Sequence, residues 1–268
     1  MVDYSSMALQ YAEMGFVAPI DIMTNDEVLE IRLDLEEAEA ELAENPEKLS
    51  ILRTYPNRLL PSFDRLTRNK NLINAASAVL GPDLMVWSAQ LFIKEKKSTK
   101  IVSWHQDLTY WRLDDVEETT CWFAVSEASE EAGCMKFVPG THKSKIVEHI
   151  DTFAENNLLS RGQEIAVEVN ERDAISASLE AGQASMHHGL LFHSSGPNLT
   201  NERRIGSAIR YIKPSMKQET GDRSLVTLVS GEDRFNNFKI AGPPKGRLLD
   251  EEFELCRQDS ELKKRLLF

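Results

Sequence analysis

Cysteine is scarce in this chain. Cys121, Cys134 and Cys256 are the only three in 268 residues, an odd number without C-x-x-C spacing. That excludes a disulfide framework and a cysteine-ligated zinc site, and reads as reduced, buried thiols in a reducing compartment. Long apolar runs are missing as well. No stretch of about 18 apolar residues is available to span a bilayer. The opening MVDYSSMALQYAEMGF has no basic region ahead of an apolar one, so no secretory signal is expected and the cytoplasm is the default. Positive charge is in deficit. The 43 acidic and 31 basic residues give a formal net charge of −12, which argues against nucleic acid or a membrane surface as partner, because both need a basic face. Repeats, low-complexity tracts and convincing linkers are also absent, so 1–268 is expected to be a single domain.

Residues 1–83 read as mostly helical and acidic. Val28, Ile31, Leu35 and Leu42 fall on roughly one face of a helix over 24–42, and Thr24 with Glu27 has capping-box spacing. Its charge run is the solvated face of that helix. A second helix is predicted over 71–80, stopped by Gly81-Pro82. Over about 84–215 the pattern changes to short runs such as LMVWSAQLFI, TTCWFAV, CMKFVPG and IGSAIRYI, separated by Gly, Pro, Asn or charge. Many short strands at this spacing predict a β-sandwich or barrel, giving a mainly β domain with flanking helices. In 216–268, the Gly- and Pro-containing stretch LVSGEDRFNNFKIAGPPKG is predicted to be a lid, followed by a helix over 249–267.

Two segments carry chemistry. In Trp104-His105-Gln106-Asp107, an H-x-D pair lies in a β-type run. Side chains at i and i+2 of a strand point to the same face, so His105 and Asp107 can reach one metal. Two histidines and one carboxylate on one side of an octahedron leave three positions open, the arrangement of non-haem iron(II) oxygenases. The second segment is GLLFHSSGPNLTNERRIGSAIRYI, where Arg204 follows His193 by eleven residues. Two antiparallel strands joined by the SSGPNLTNE turn would bring both into one pocket. Arg204 would offer a planar fork to a carboxylate, which Lys cannot match. Parity favours Arg204, which shares a face with the small Gly206 and Ala208, over Arg203, which shares one with Ile205 and Ile209.

The pieces WHQDLTYW, GCMKFVPGTHK and LLFHSSGPNLTNERR, in this order over roughly residues 90–211, resemble the phytanoyl-CoA dioxygenase family of 2-oxoglutarate oxygenases. The opening YAEMGFVAPIDIMTNDEVLEIR resembles that family's N-terminal helical region. The resemblance implies a double-stranded β-helix (jelly-roll, cupin-like) core and Fe(II) held by His105, Asp107 and His193. It implies 2-oxoglutarate anchored by Arg204, with Trp122, Ser195 and Gln90 lining the co-substrate pocket. O2 would be the oxidant and ascorbate an accessory reductant. Related halogenases replace the carboxylate ligand with a small residue; Asp107 is retained here, which points to hydroxylation or a related oxidation and not chlorination.

Strand parity also puts Thr109 and Trp111 with the H-x-D pair, and Arg210 with Arg204, as candidate contacts to a small-molecule substrate. His187 and His188 read as packed or pocket-lining, since a turn at Gly189 separates them from His193, and His142 reads as part of a hairpin turn. Two rival readings stand beside the enzyme: a non-catalytic small-molecule-binding β-helix, and a cupin-type metal protein independent of 2-oxoglutarate. The sequence sets neither the substrate nor the oligomeric state.

Overall fold

A computed structural model describes residues 3–159 and 161–266. Helices α1 (Tyr4–Met14), α2 (Asn25–Glu41), α3 (Pro46–Thr54), α4 (Pro56–Leu59), α5 (Pro61–Thr67) and α6 (Lys70–Leu80) fill most of the first third. Thr24 and Glu27 form the reciprocal capping box at the start of α2, and Val28, Ile31, Leu35 and Ala38 are its buried stripe. Prolines open α3, α4 and α5, where a missing N–H costs nothing because the first helical N–H groups have no partner within the helix.

The strands form two main sheets. β1 (Phe16–Asp21), β2 (Leu84–Lys94), β4 (Glu118–Ala124), β9 (Gln183–His187), β11 (Arg204–Ile212), β12 (Leu225–Ser230) and β13 (Lys239–Ile240) make the major one, in the order β1-β9-β4-β11-β2-β12-β13. The minor sheet runs β3 (Val102–His105), β10 (His193–Ser195), β5 (Met135–Phe137) and β8 (Ile175–Ala177). A separate ribbon pairs β6 (His149–Asp151) with β7 (Gln163–Ile165). The whole is the expected double-stranded β-helix with flanking helices.

Period-two alternation divides the major sheet into two faces. Cys121 and Phe123 of β4 and Ile205, Ile209 and Tyr211 of β11 join the large apolar cluster shared with the helices. Trp122, Ala124 and Ala208 point the other way and meet Met135, Phe137 and Ala177 of the minor sheet. The functional residues occupy this second, inter-sheet space. All three cysteines are free and buried.

The structure corrects two expectations and bounds two others. Residues 1–83 include β1, which pairs with β9 and extends the major sheet. The predicted lid stretch, 228–246, takes in the last three residues of β12, a strand that pairs with β2, and all of β13. The C-terminal helix is α7 (Asp250–Leu266), and its expected last residue, 267, lies outside the described residues. Finally, β10 and β11 do not form a hairpin: the chain crosses from the minor to the major sheet between them. Each is paired elsewhere, β10 with β3 and β5, β11 with β2 and β4.

Candidate metal centre and anion pocket

His105 closes β3, Gln106 continues the extended path (φ −118°, ψ 129°), and Asp107 begins a 3-10 turn over Asp107–Tyr110. The i, i+2 pairing therefore holds although the strand itself ends at its first member. His193, at the start of β10, lies in register opposite His105. One donor atom from each of these three buried residues lies within 4.8 Å of the others. The Nε2 atoms of His105 and His193 are 3.4 and 3.8 Å from Asp107 Oδ1.

Backbone carbonyls set both tautomers. His105 Nδ1 meets Ser103 O at 2.8 Å, and His193 Nδ1 meets Leu191 O at 2.8 Å. A carbonyl only accepts, so each Nδ1 is the donor and each Nε2 presents its lone pair toward Asp107. The carboxylate is divided in the same way: Oδ1 faces the imidazoles, while Oδ2 accepts from Thr120 Oγ1 at 3.1 Å and faces Arg210 Nε at 3.7 Å. Burial opposes ionisation of Asp107, but the Arg210 guanidinium facing it holds the carboxyl well below its usual range. Burial, with His105 and His187 nearby, keeps His193 neutral. Two imidazoles and one carboxylate, pre-aimed at a common point, fit a divalent iron.

Behind this triad a pocket of about 400 Å³ extends between the sheets, lined by Trp122, Ser195 and Arg204 among others. Arg204 is almost fully buried, its guanidinium 5.1 Å from the Trp122 ring centre. It makes no hydrogen bond to the protein among the described residues, and its Nε and Nη2 are buried without partners. Arg203 lies outside and pairs with Glu39 at 2.8 Å and Glu95 at 3.0 Å. Gly206 leaves no spare room for a ligand, contrary to expectation: a Cβ there would stand 1.9 Å from Trp122 Cζ2, so the indole already fills the space.

A larger cleft, enclosing about 1280 Å³, opens from His105 and Asp107 toward solvent. Trp111 and Arg210 line it, the guanidinium lying 4.9 Å from the Trp111 ring centre. A bulge in β2 between the partners of Arg210 and Tyr211 presents both Trp87 and Ser88 to the same cleft. Gln90, expected beside the co-substrate, lines this cleft and not the inner pocket. Thr109 lines neither: the 3-10 turn breaks the strand parity, and its Oγ1 lies 3.4 Å from His149 Nδ1. Ser260, Lys263 and Lys264 of α7 form the opposite wall.

His187 is buried in the inner pocket, 4.5 Å centre to centre from His193. His188 stacks near Tyr11 and His142, away from the triad. Sequence reasoning missed Thr120 and Lys94. Thr120 carried a signal, since it shares strand parity with Trp122. Lys94 closes an apolar run and carries no local signal of its partners.

The fold and the donor set define a non-haem iron, 2-oxoglutarate oxygenase class. The family model described as "Phytanoyl-CoA dioxygenase (PhyH)" matches residues 11–206, and the chain belongs to that family. A probable alpha-ketoglutarate-dependent hypophosphite dioxygenase of Stutzerimonas stutzeri is 23% identical over 78% of each chain. The peroxisomal phytanoyl-CoA dioxygenase of Homo sapiens is 30% identical over 45% of this chain and 37% of its own length. Among solved structures, the apo form of the non-haem monooxygenase ThoJ superposes with a TM-score of 0.88 at 27% identity, covering 97% of both chains. No helix among the described residues is long and apolar enough to cross a membrane.

Proposed function

We propose that this protein is an Fe(II)- and 2-oxoglutarate-dependent oxygenase that hydroxylates, or otherwise oxidises, an unactivated C–H bond of a small molecule. The observation that carries this reading is a pair: a buried His105–Asp107–His193 donor set with fixed tautomers, and behind it a buried guanidinium with no protein partner. Bound iron(II) with 2-oxoglutarate would supply the oxidising chemistry, splitting O2 between succinate and the substrate as CO2 leaves.

The chain's own contribution is geometry and charge. His105, Asp107 and His193 would hold the metal, and Thr120 would keep Asp107 Oδ2 turned away from it. Arg204 would pair with the distal carboxylate of 2-oxoglutarate, Trp122 would support that guanidinium, and Ser195 would face the same carboxylate. The packed sheets exclude water from this end. The substrate would enter by the outer cleft, lie against Trp111, and place an anionic group near Arg210. Because Asp107 occupies the third protein position, chloride has no ligand site and the product carries no chlorine.

The test is a screen for succinate release across small-molecule classes, with iron and 2-oxoglutarate each omitted in turn. Turnover needs both, and succinate formation matches substrate loss. His105→Ala and His193→Ala each abolish stoichiometric iron(II) binding, measured by metal analysis after desalting. Full iron occupancy in either variant, turnover without 2-oxoglutarate, or a chlorinated product by mass spectrometry would each overturn a part of this reading.

A further inference from the structure

Two basic side chains lie buried side by side at the Ser195 end of the inner pocket: Arg204 lines it, and Lys94 sits next to it, bonded to Ser195. Lys94 of β2 lies directly opposite Arg204 of β11 in the sheet register, and the two are 0% and 1% exposed. Neither has a carboxylate within ion-pair distance among the described residues, whereas buried Arg58 pairs with Glu252 at 2.6 Å. A chain with 43 acidic residues places none of them here. Burying the unpaired Arg204 guanidinium costs several kcal/mol, so the arrangement calls for an anion from outside. The two cations differ in how they wait for it: lysine can release its proton, arginine cannot.

The contacts of Lys94 give that difference a structural outlet. Its Nζ lies 2.6 Å from Ser195 Oγ and 3.3 Å from Ser195 O, and also bonds the backbone oxygen of Gly196. A neutral amine has two N–H groups for the two carbonyls and one lone pair, which takes the Ser195 O–H. An ammonium has three N–H groups; the third donates to Ser195 Oγ and frees the hydroxyl proton to point into the pocket. We propose that Lys94 is a second, proton-linked cation of the dianion site: it takes up one proton from solvent as 2-oxoglutarate binds, and thereby turns the Ser195 hydroxyl toward the bound carboxylate. Lys94 is thus a positioning residue acting through Ser195.

This proposal rests on 2-oxoglutarate being the co-substrate. The groups facing Lys94 are Arg204 from β11, Ser195 and Gly196 from β10 and the turn after it, and Cys134 from the loop before β5. Burial keeps the Cys134 thiol protonated. Glu95, next in the chain, turns outward to Arg203. Burial first, then Arg204, pulls the free Lys94 down to about 6. Around neutral pH the amine is therefore mostly unprotonated before the anion arrives, and an arriving dianion raises its proton affinity. By linkage, proton uptake on binding is small below about pH 6 and approaches one above it. The dissociation constant for 2-oxoglutarate then climbs by up to about tenfold per pH unit.

The experiment is anaerobic titration calorimetry of 2-oxoglutarate into the iron(II)-loaded protein, in buffers of different ionisation enthalpy and across about pH 6 to 8. Wild type takes up close to one proton per site in the upper part of this range. Lys94→Met loses that uptake and binds about 10- to 100-fold more weakly, the range for losing a charge-assisted hydrogen bond, with iron affinity unchanged. Lys94→Arg, which cannot deprotonate, binds without proton uptake and without the pH slope. Ser195→Ala weakens binding in a wild-type background but adds little to Lys94→Met. A merely structural Lys94 would lower the melting temperature and leave proton uptake untouched. Proton-neutral binding and a flat affinity from pH 6 to 8 in wild type overturn the proposal even if no Lys94 variant folds. If wild type binds no 2-oxoglutarate at all, the co-substrate reading falls and this proposal with it.

Discussion

On one face of β11, Ile205, Ile209 and Tyr211 pack beneath the helices; on the other, Arg204, Gly206, Ala208 and Arg210 border the space between the sheets. β4 repeats the division, with Phe123 on the helix side and Thr120 and Trp122 on the inner side. Both faces are buried, so burial alone does not tell them apart. Polarity does. The helix face is mainly apolar, and the inner face holds a guanidinium with bare donors. One strand can therefore carry stability and function in alternate residues, and changes on the two faces should register in different measurements.

Substitutions at four positions sharpen or break that comparison. Phe123→Ala removes a fully buried ring from the helix face and should cost about 3–5 kcal/mol of stability by denaturant unfolding. At a temperature where the variant is folded, its 2-oxoglutarate affinity should stay near wild type; a large loss would mean the faces are not separable. Arg204→Ala should do the reverse. It weakens 2-oxoglutarate binding by about 2–5 kcal/mol, the loss typical of one partner of a buried charged pair, with little change in iron binding. Arg204→Lys should fall between, keeping charge without the fork. Gly206→Ala drives a methyl into the Trp122 indole. Overpacking of this kind costs about 1–3 kcal/mol, and it should register in both melting temperature and 2-oxoglutarate affinity, because Trp122 supports Arg204. Arg203→Ala is smallest: its pairs with Glu39 and Glu95 are partly solvated, and such pairs contribute about 0–1 kcal/mol. A silent Arg204→Ala beside a damaging Arg203→Ala would reverse the parity.

What the sequence makes legible is local. The H-x-D pair can be read because two residues of extended chain determine where both side chains point, and Arg204 can be chosen over Arg203 because alternation reaches only one residue. What it hides depends on distant partners. Nothing near residue 16 announces that β1 pairs with β9, and nothing in SSGPNLTNE states that the chain changes sheets there. The Gly- and Pro-containing stretch over 228–246 looked like a loop because its strand residues, the end of β12 and the two of β13, are few and are ordered by distant partners. Gly206 looked like vacant space because its neighbour across the sheet, Trp122, belongs to another strand. The three prolines opening α3 to α5 were readable as helix starts, and that signal was passed over.

The outer wall of the cleft comes from a part of the chain that supplies none of the triad. Phe253 and Cys256 anchor α7 in the apolar core, and Asp259 fastens it by accepting from Tyr55 Oη at 3.0 Å and the Leu225 amide at 2.6 Å. Ser260, Lys263 and Lys264 then look across at the metal centre. The division separates a wall from its floor: substitutions of Ser260, Lys263 or Lys264 alter the cleft without touching the His105–Asp107–His193 set, which lies earlier in the chain.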